Sequence, residues 1–174
     1  MGFVRHFSEL SINDTPTVGG KNASLGEMYC KLSNQDIKVP NGFAITTTAF
    51  QYYFEFNQLH QKIEHALKYL DIQDSQALAI TAAVRSSTIS ENLSTASCAD
   101  QQETYLNIRG RDPLLHTCKR VFASMFTDRA ISYRFDHGFS HADIALSIGV
   151  QKMVRSDIAT AGLMFTLDAE SGVQ

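Results

Sequence analysis

Several broad classes are excluded by what this chain lacks. Its three cysteines, Cys30, Cys98 and Cys118, are scattered and odd in number. That spacing fits neither a disulfide framework nor a cysteine metal site, and the expected compartment is a reducing cytoplasm. The net charge is −3, so the strong basic excess of a nucleic-acid binder is missing. No apolar run is long enough to span a bilayer. The start, Met1-Gly2-Phe3-Val4-Arg5-His6, has no apolar core of signal-peptide type. Gly2 has no serine or threonine at the sixth position to make it a lipidation site. Nucleic acid and membrane are therefore not expected partners.

What is present suits a globular domain. With 174 residues, 44% hydrophobic and 19% charged, the chain has the length for one domain or two small lobes around a real core. Its organising stretch is Val18-Gly-Gly-Lys-Asn-Ala-Ser-Leu-Gly-Glu-Met28. Two glycines release the backbone, Lys21 follows, and a helix is expected from about Asn22 to Leu32. Leu25, Met28, Tyr29 and Leu32 would form its apolar face. Free N–H groups at a helix start attract anions, and a lysine adds full charge. The stretch reads either as a phosphate-binding turn with a lysine arm or as a plain junction with a solvated lysine. It is not a Walker loop, because Asn22 stands where serine or threonine would follow the lysine.

Taken in order, residues 1–17 read as a polar lead-in. Val39-Pro-Asn-Gly42 is a turn signal before a short strand, Phe43 to Ile45, and Thr46, Thr47 and Thr48 offer N-cap hydroxyls. The next helix carries Phe50, Tyr53, Phe54 and Asn57, a stripe read as core; Leu59, Ile63, Ala66, Leu67 and Leu70 mark another, ending near Asp71. Thr81 to Ser87 reads as a strand with a polar tip, residues 88–100 as a functional loop, and Thr104 to Ile108 as a strand. Asp112-Pro113 should start a helix, the acid serving as N-cap. Leu114, Cys118, Val121, Phe122 and Met125 then repeat at helical spacing, with Cys118 read as a small core residue. Asp128 to Arg134 continues as a helix, stopped near Gly138. The last third reads as β. Ile144, Leu146 and Ile148 alternate with small residues, Gln151 and Met153 share a face opposite Val150, Lys152 and Val154, and a further strand spans Gly162 to Leu167. The Asp168–Gly172 turn has no partner strand after it and would leave an open sheet edge.

Four segments, Val18 to Met28, Val39-Pro-Asn-Gly-Phe-Ala44, Ala83-Val-Arg-Ser-Ser87 and Phe122-Ala-Ser-Met-Phe-Thr-Asp-Arg-Ala-Ile-Ser-Tyr-Arg134, occur in the order seen in the phosphoenolpyruvate synthase (pyruvate, water dikinase) family. Gly149 to Asp157 and Gly162 to Gly172 extend that resemblance almost to the C-terminus. Pyruvate phosphate dikinase and rifampicin phosphotransferase share the domain, and Gln102-Glu-Thr-Tyr-Leu-Asn107 looks most like the synthase. The resemblance implies an α/β mixed fold, the N-terminal portion of an ATP-grasp-like nucleotide-binding domain over 1–174. Residues 1–80 would belong to a mainly helical lobe part and 81–174 to a mixed strand/helix part. It also implies ATP as ligand and Mg²⁺ as its companion. Phosphate would pass to a histidine on a swivelling domain, and a barrel domain would pass it to pyruvate, converting ATP, pyruvate and water into phosphoenolpyruvate, AMP and phosphate. By the same resemblance Lys21, Arg85 and Thr104 would contact ATP phosphates, and Gln151 would lie near the adenine. No catalytic residue and no metal ligand is carried over.

The chain also departs from the family pattern. Cys98-Ala-Asp-Gln101 stands where a glycine-containing Phe-Ala-Gly-Gln is usual, so Asp100 sets a carboxylate where phosphate should approach, and the usual acidic pair is reduced to Glu91-Asn92. Leu70 is followed too soon by Ala82, an internal shortening that removes packing partners. The family's acidic metal site, phosphohistidine domain and pyruvate domain are expected beyond the Asp168–Gly172 turn. His141 reads as an ordinary loop histidine. Three readings follow: the ATP-binding part of a synthase, inactive alone; a non-catalytic remnant that binds nucleotide, a second copy or a full-length synthase; or a poorly folded remnant.

Overall fold

A computed structural model of the chain describes residues 2–35, 37–68, 87–88, 104–139, 145–154, 158, 160 and 162. The expected strand at Thr81–Ser87 (save for Ser87), the loop at 88–100, His141 and nearly all of the strand at Gly162–Leu167 lie outside them. Among the described residues the strands are β1 (Val4–His6), β2 (Gly42–Ile45), β3 (Ser87–Thr88) and β4 (Leu146–Gln151). The helices are α1 (Thr15–Leu32), α2 (Thr47–Phe56), α3 (Leu59–Lys68), α4 (Arg111–Ala123) and α5 (Asp128–Asp136). The strands form one sheet in the order β1-β2-β4-β3, antiparallel throughout. The fold is mixed helix and small antiparallel sheet, in keeping with the expected α/β class.

The sheet has two unlike faces. Ile45 and Ile148 are register partners and lie against the larger core with Leu146 and Val150. That core is Phe50 and Phe54 from α2, Cys118, Val121 and Phe122 from α4, Met125 and Phe126, and Ile131 from α5. Its rings lock in tilted and edge-on pairs, Phe50 at 4.1 Å from Phe54 and 5.2 Å from Phe122 between centroids. The α2 stripe and the α4 repeat are thus core, as expected. Thr46 caps α2, its hydroxyl accepting from the Ala49 N–H. Arg134 donates to the Met125 carbonyl and lies 5.8 Å from the Phe126 ring centroid; burial pushes its pKa down to about 10, so it stays charged at neutral pH.

The opposite face packs on α1 and carries small residues. Ala44 pairs with Gly149, and Ala44 joins Phe7, Leu10, Val18 and Ala23 in a second core. Here several expectations are corrected. The first seventeen residues are not a polar lead-in: β1 pairs with β2, two 3₁₀ turns follow at Phe7–Glu9 and Ile12–Asp14, and Phe7 and Leu10 are buried. The helix begins at Thr15, not Asn22, and breaks at Gly19. Its buried face is Val18, Asn22, Ala23 and Gly26; Met28 is exposed, and Leu25 and Tyr29 are half-buried. A close approach to the sheet selects small side chains there, and hydrophobic periodicity does not register them.

Other corrections concern the second half. Thr104 to Ile108 form no strand, and Leu106 and Ile108 are exposed. The N-cap of α4 is Gly110, at φ 91°, rather than Asp112. β4 is a single strand that ends at Gln151, so Met153 lies beyond it.

The break in α1 has a conformational cause. Gly19 is at φ 78° and ψ 155°, a region nearly closed to residues with a Cβ. Gly20 is helical, and a Cβ there would meet nothing within 4 Å. Gly19→Ala is expected to lower unfolding stability by about 1–3 kcal/mol. Gly20→Ala should leave it unchanged or raise it by up to about 1 kcal/mol. Urea midpoints of the two variants check this, and equal losses would contradict it.

Acid sensitivity is expected before α1. The Asp14 carboxylate accepts from the Ser11 backbone N–H at 2.8 Å and from the Arg5 guanidinium at 2.6 Å. The Ser11 N–H, then Arg5, hold its pKa below the ordinary carboxylate value. A depressed pKa means the stabilisation is complete above the unfolded-state pKa and lost as pH falls through the folded one. Asp14→Asn should therefore lower stability at pH 7 by about 1–2 kcal/mol and flatten its decline below about pH 4, measured by thermal unfolding across pH.

Candidate functional site

One cleft of about 790 Å³ gathers three of the four expected ligand contacts. Lys21, Thr104 and Gln151, far apart in the chain, all line it and are all exposed. Arg85 lies outside the described residues, as do Asp100, Glu91 and Asn92.

Each side chain is carried there by a distinct element. Lys21 follows the Gly19 break, at the start of the second helical segment of α1. Gln151 is the last residue of β4, and its Nε2 donates to the Pro40 carbonyl at 3.2 Å, tying the end of β4 to the turn before β2. The Lys152 N–H donates to the Asn41 carbonyl at 2.9 Å and carries that tie one residue further. Thr104 belongs to the irregular stretch that leads into α4. That stretch is fastened by Arg120, whose guanidinium carbon stands 4.8 Å from the Tyr105 ring centroid. It turns through Asn107, at φ 60°, before Gly110 starts the helix.

The cleft is chemically two-sided. Among the described residues its charged lining is Lys21, Arg111 and Lys152, with no carboxylate. In a chain of net charge −3, that concentrates positive potential in one concavity. The other wall is apolar, from Leu114, Val121, Ile148 and Val150. Cations beside an apolar wall suit an anion joined to a flat, weakly polar group. Arg111 and Lys152 were not singled out from sequence. Strand alternation would set Lys152 on the face opposite Gln151, but the strand ends at Gln151, and both residues line the cleft. The available signal was charge: Arg111 adjoins the Gly110 helix start, and Lys152 adjoins Gln151.

Among the described residues no group of three or more His, Cys, Asp or Glu side chains is placed to hold a metal ion. No helix among them is long and apolar enough to cross a membrane.

Comparison with known proteins bears on this cleft. The family model described as pyruvate phosphate dikinase, AMP/ATP-binding domain, matches residues 15–82 and 77–174. The phosphoenolpyruvate synthase of Deinococcus radiodurans is 42% identical over 205 aligned positions, covering 99% of this chain and 26% of the relative. That of Pseudomonas aeruginosa is 44% identical over 206, covering 98% and 26%. That of Escherichia coli is 42% identical over 205, covering 97% and 26%. The chain thus spans about a quarter of the length of these relatives. The alignments run longer than the 174 residues of the chain, so the relatives hold positions it lacks. The two matched segments overlap at residues 77–82, within the interval from Leu70 to Ala82 where the internal shortening is expected. Nearly the whole chain is accounted for by that match: it belongs to the pyruvate phosphate dikinase AMP/ATP-binding domain family.

Proposed function

We propose that this chain is the ATP-binding part of a phosphoenolpyruvate synthase, with the nucleotide seated in the cleft lined by Lys21, Thr104 and Gln151. The observation that carries the reading is the cleft lining: three cations, no carboxylate among the described residues, and an apolar wall. Lys21 and Thr104 are the proposed phosphate contacts, joined by Arg85 from the segment after α3. Lysine supplies a point charge, threonine a hydroxyl donor, and arginine a planar fork that grips phosphate through two bonds. Gln151 is the proposed neighbour of the adenine, its amide held by Pro40. Arg111 and Lys152 add to the field that draws the anion in.

The complete domain in this reading is ATP-grasp-like, holding ATP between two lobes, and its place is the cytoplasm. The sheet draws β1 and β2 from before residue 80 and β3 and β4 from after it. In the full reaction ATP, pyruvate and water become phosphoenolpyruvate, AMP and phosphate. Charge neutralisation and positioning do most of the work in such phosphoryl transfers. Mg²⁺ neutralises phosphate charge when it accompanies ATP, but the described residues do not fit a metal centre, and none is assigned to it. The proposed contribution of these 174 residues is to bind and orient the nucleotide, with pyruvate engaged elsewhere in a full-length enzyme.

Two measurements test this. Calorimetric titration with ATP should show binding to the unaltered chain and an affinity lower by about ten- to hundredfold in Lys21→Ala. No heat with the unaltered chain overturns the nucleotide reading, and equal heats for both proteins overturn the role of Lys21. A coupled assay should detect no pyruvate-dependent AMP from the isolated polypeptide; steady turnover would show that it carries the whole reaction.

A further inference from the structure

Lys21 is exposed, but the residue beside it is not. Successive helical residues point about 100° apart, and Asn22 is buried against the sheet. Its side-chain amide donates twice, to the Val18 carbonyl at 2.9 Å and to Ser147 Oγ at 3.0 Å. The Ser147 hydroxyl, fully buried, donates in turn to the Ile45 carbonyl at 2.8 Å. Both amide hydrogens are used, and the hydroxyl both accepts and donates. Val18 is the last residue before the Gly19 break, Ile45 ends β2, and Ser147 is four residues before Gln151 on β4. The relay therefore joins both sides of the break to the two central strands.

The fit is close. A Cβ at Gly149 would stand 2.3 Å from Asn22 Oδ1, so the amide rests on the backbone of β4 itself. An apolar side chain of the same size would fill the space without fixing the azimuth of α1. A relay whose donors are all matched selects one arrangement, because any slip leaves a buried donor without an acceptor.

We propose that Asn22 and Ser147 are positioning residues that hold Lys21 at a set place across the cleft from Gln151. The proposal rests on the nucleotide reading, in which those two side chains engage opposite ends of one ligand. Neither Asn22 nor Ser147 need touch that ligand; they act through the turn and the strand that carry the contacts.

The test uses Ser147→Ala in the whole chain, with ATP as the probe. Calorimetry is expected to show ATP affinity lower by about fivefold. In the Lys21→Ala background the same substitution should change affinity by less than about twofold, because the contact it positions is already gone. Amide hydrogen exchange at Gly20 and Lys21 should quicken. Equal losses in both backgrounds would show a merely structural role and overturn the proposal. Unchanged exchange at Gly20 and Lys21 would overturn it as well, whether or not ATP binds. If the unaltered chain binds no ATP, the nucleotide reading falls by itself, and exchange alone decides whether the relay fixes the turn. Should Ser147→Ala fail to fold, Gly149→Ala carries the test with the same readouts, since it displaces the Asn22 amide without deleting a partner.

Discussion

The structure depends on how closely α1 approaches the sheet. Ala44, Ser147 and Gly149 make that face shallow, and the Asn22 amide occupies the remaining depth. Together with the Gly19 break, this close approach sets where Lys21 emerges relative to the end of β4. A polar group this deep is costly unless every donor is matched, and here the Val18 carbonyl and Ser147 match both.

The other face obeys a different rule. Large aromatics from α2 and α4 meet Ile45, Leu146 and Ile148, and volume rather than closeness is what that layer supplies. The two faces explain why the cleft has unlike walls. Its apolar wall is an outer margin of the aromatic layer, through Leu114, Val121, Ile148 and Val150, and Lys21 comes from the layer of small residues.

This division also decides what could be read from the chain. The α2 stripe, the α4 repeat, the Thr46 cap and the Gly42–Ile45 strand were legible because each is a local pattern of strong hydrophobes or a capping hydroxyl. The buried face of α1 was not, because Asn22, Ala23 and Gly26 are chosen for size, and the apolar periodicity pointed instead toward Met28. β1 and the 3₁₀ turns escaped because three-residue elements carry no period, and Phe7 is buried by a strand more than thirty residues away. Alternation at Thr104–Ile108 does not mark a strand, because among the described residues no strand pairs with it. For the site, the resemblance and not the residue pattern brought Lys21, Thr104 and Gln151 together. Arg111 and Lys152 belonged to no motif and became visible only once the cleft had a shape.

The pairing of β2 with β4 carries a temporal consequence. Asn22 and Ser147 are separated by 125 positions, and Ser147 and Ile45 by 102. During synthesis from the N-terminus, α1 and β2 emerge long before the strand that satisfies them. Until then the Asn22 amide is hydrated, and the seam between α1 and β2 has no floor. Contacts of such sequence separation close late and against a large loop entropy. The cleft is therefore complete only once β4 is in place, since Ile148, Gly149, Val150 and Gln151 of that strand line it.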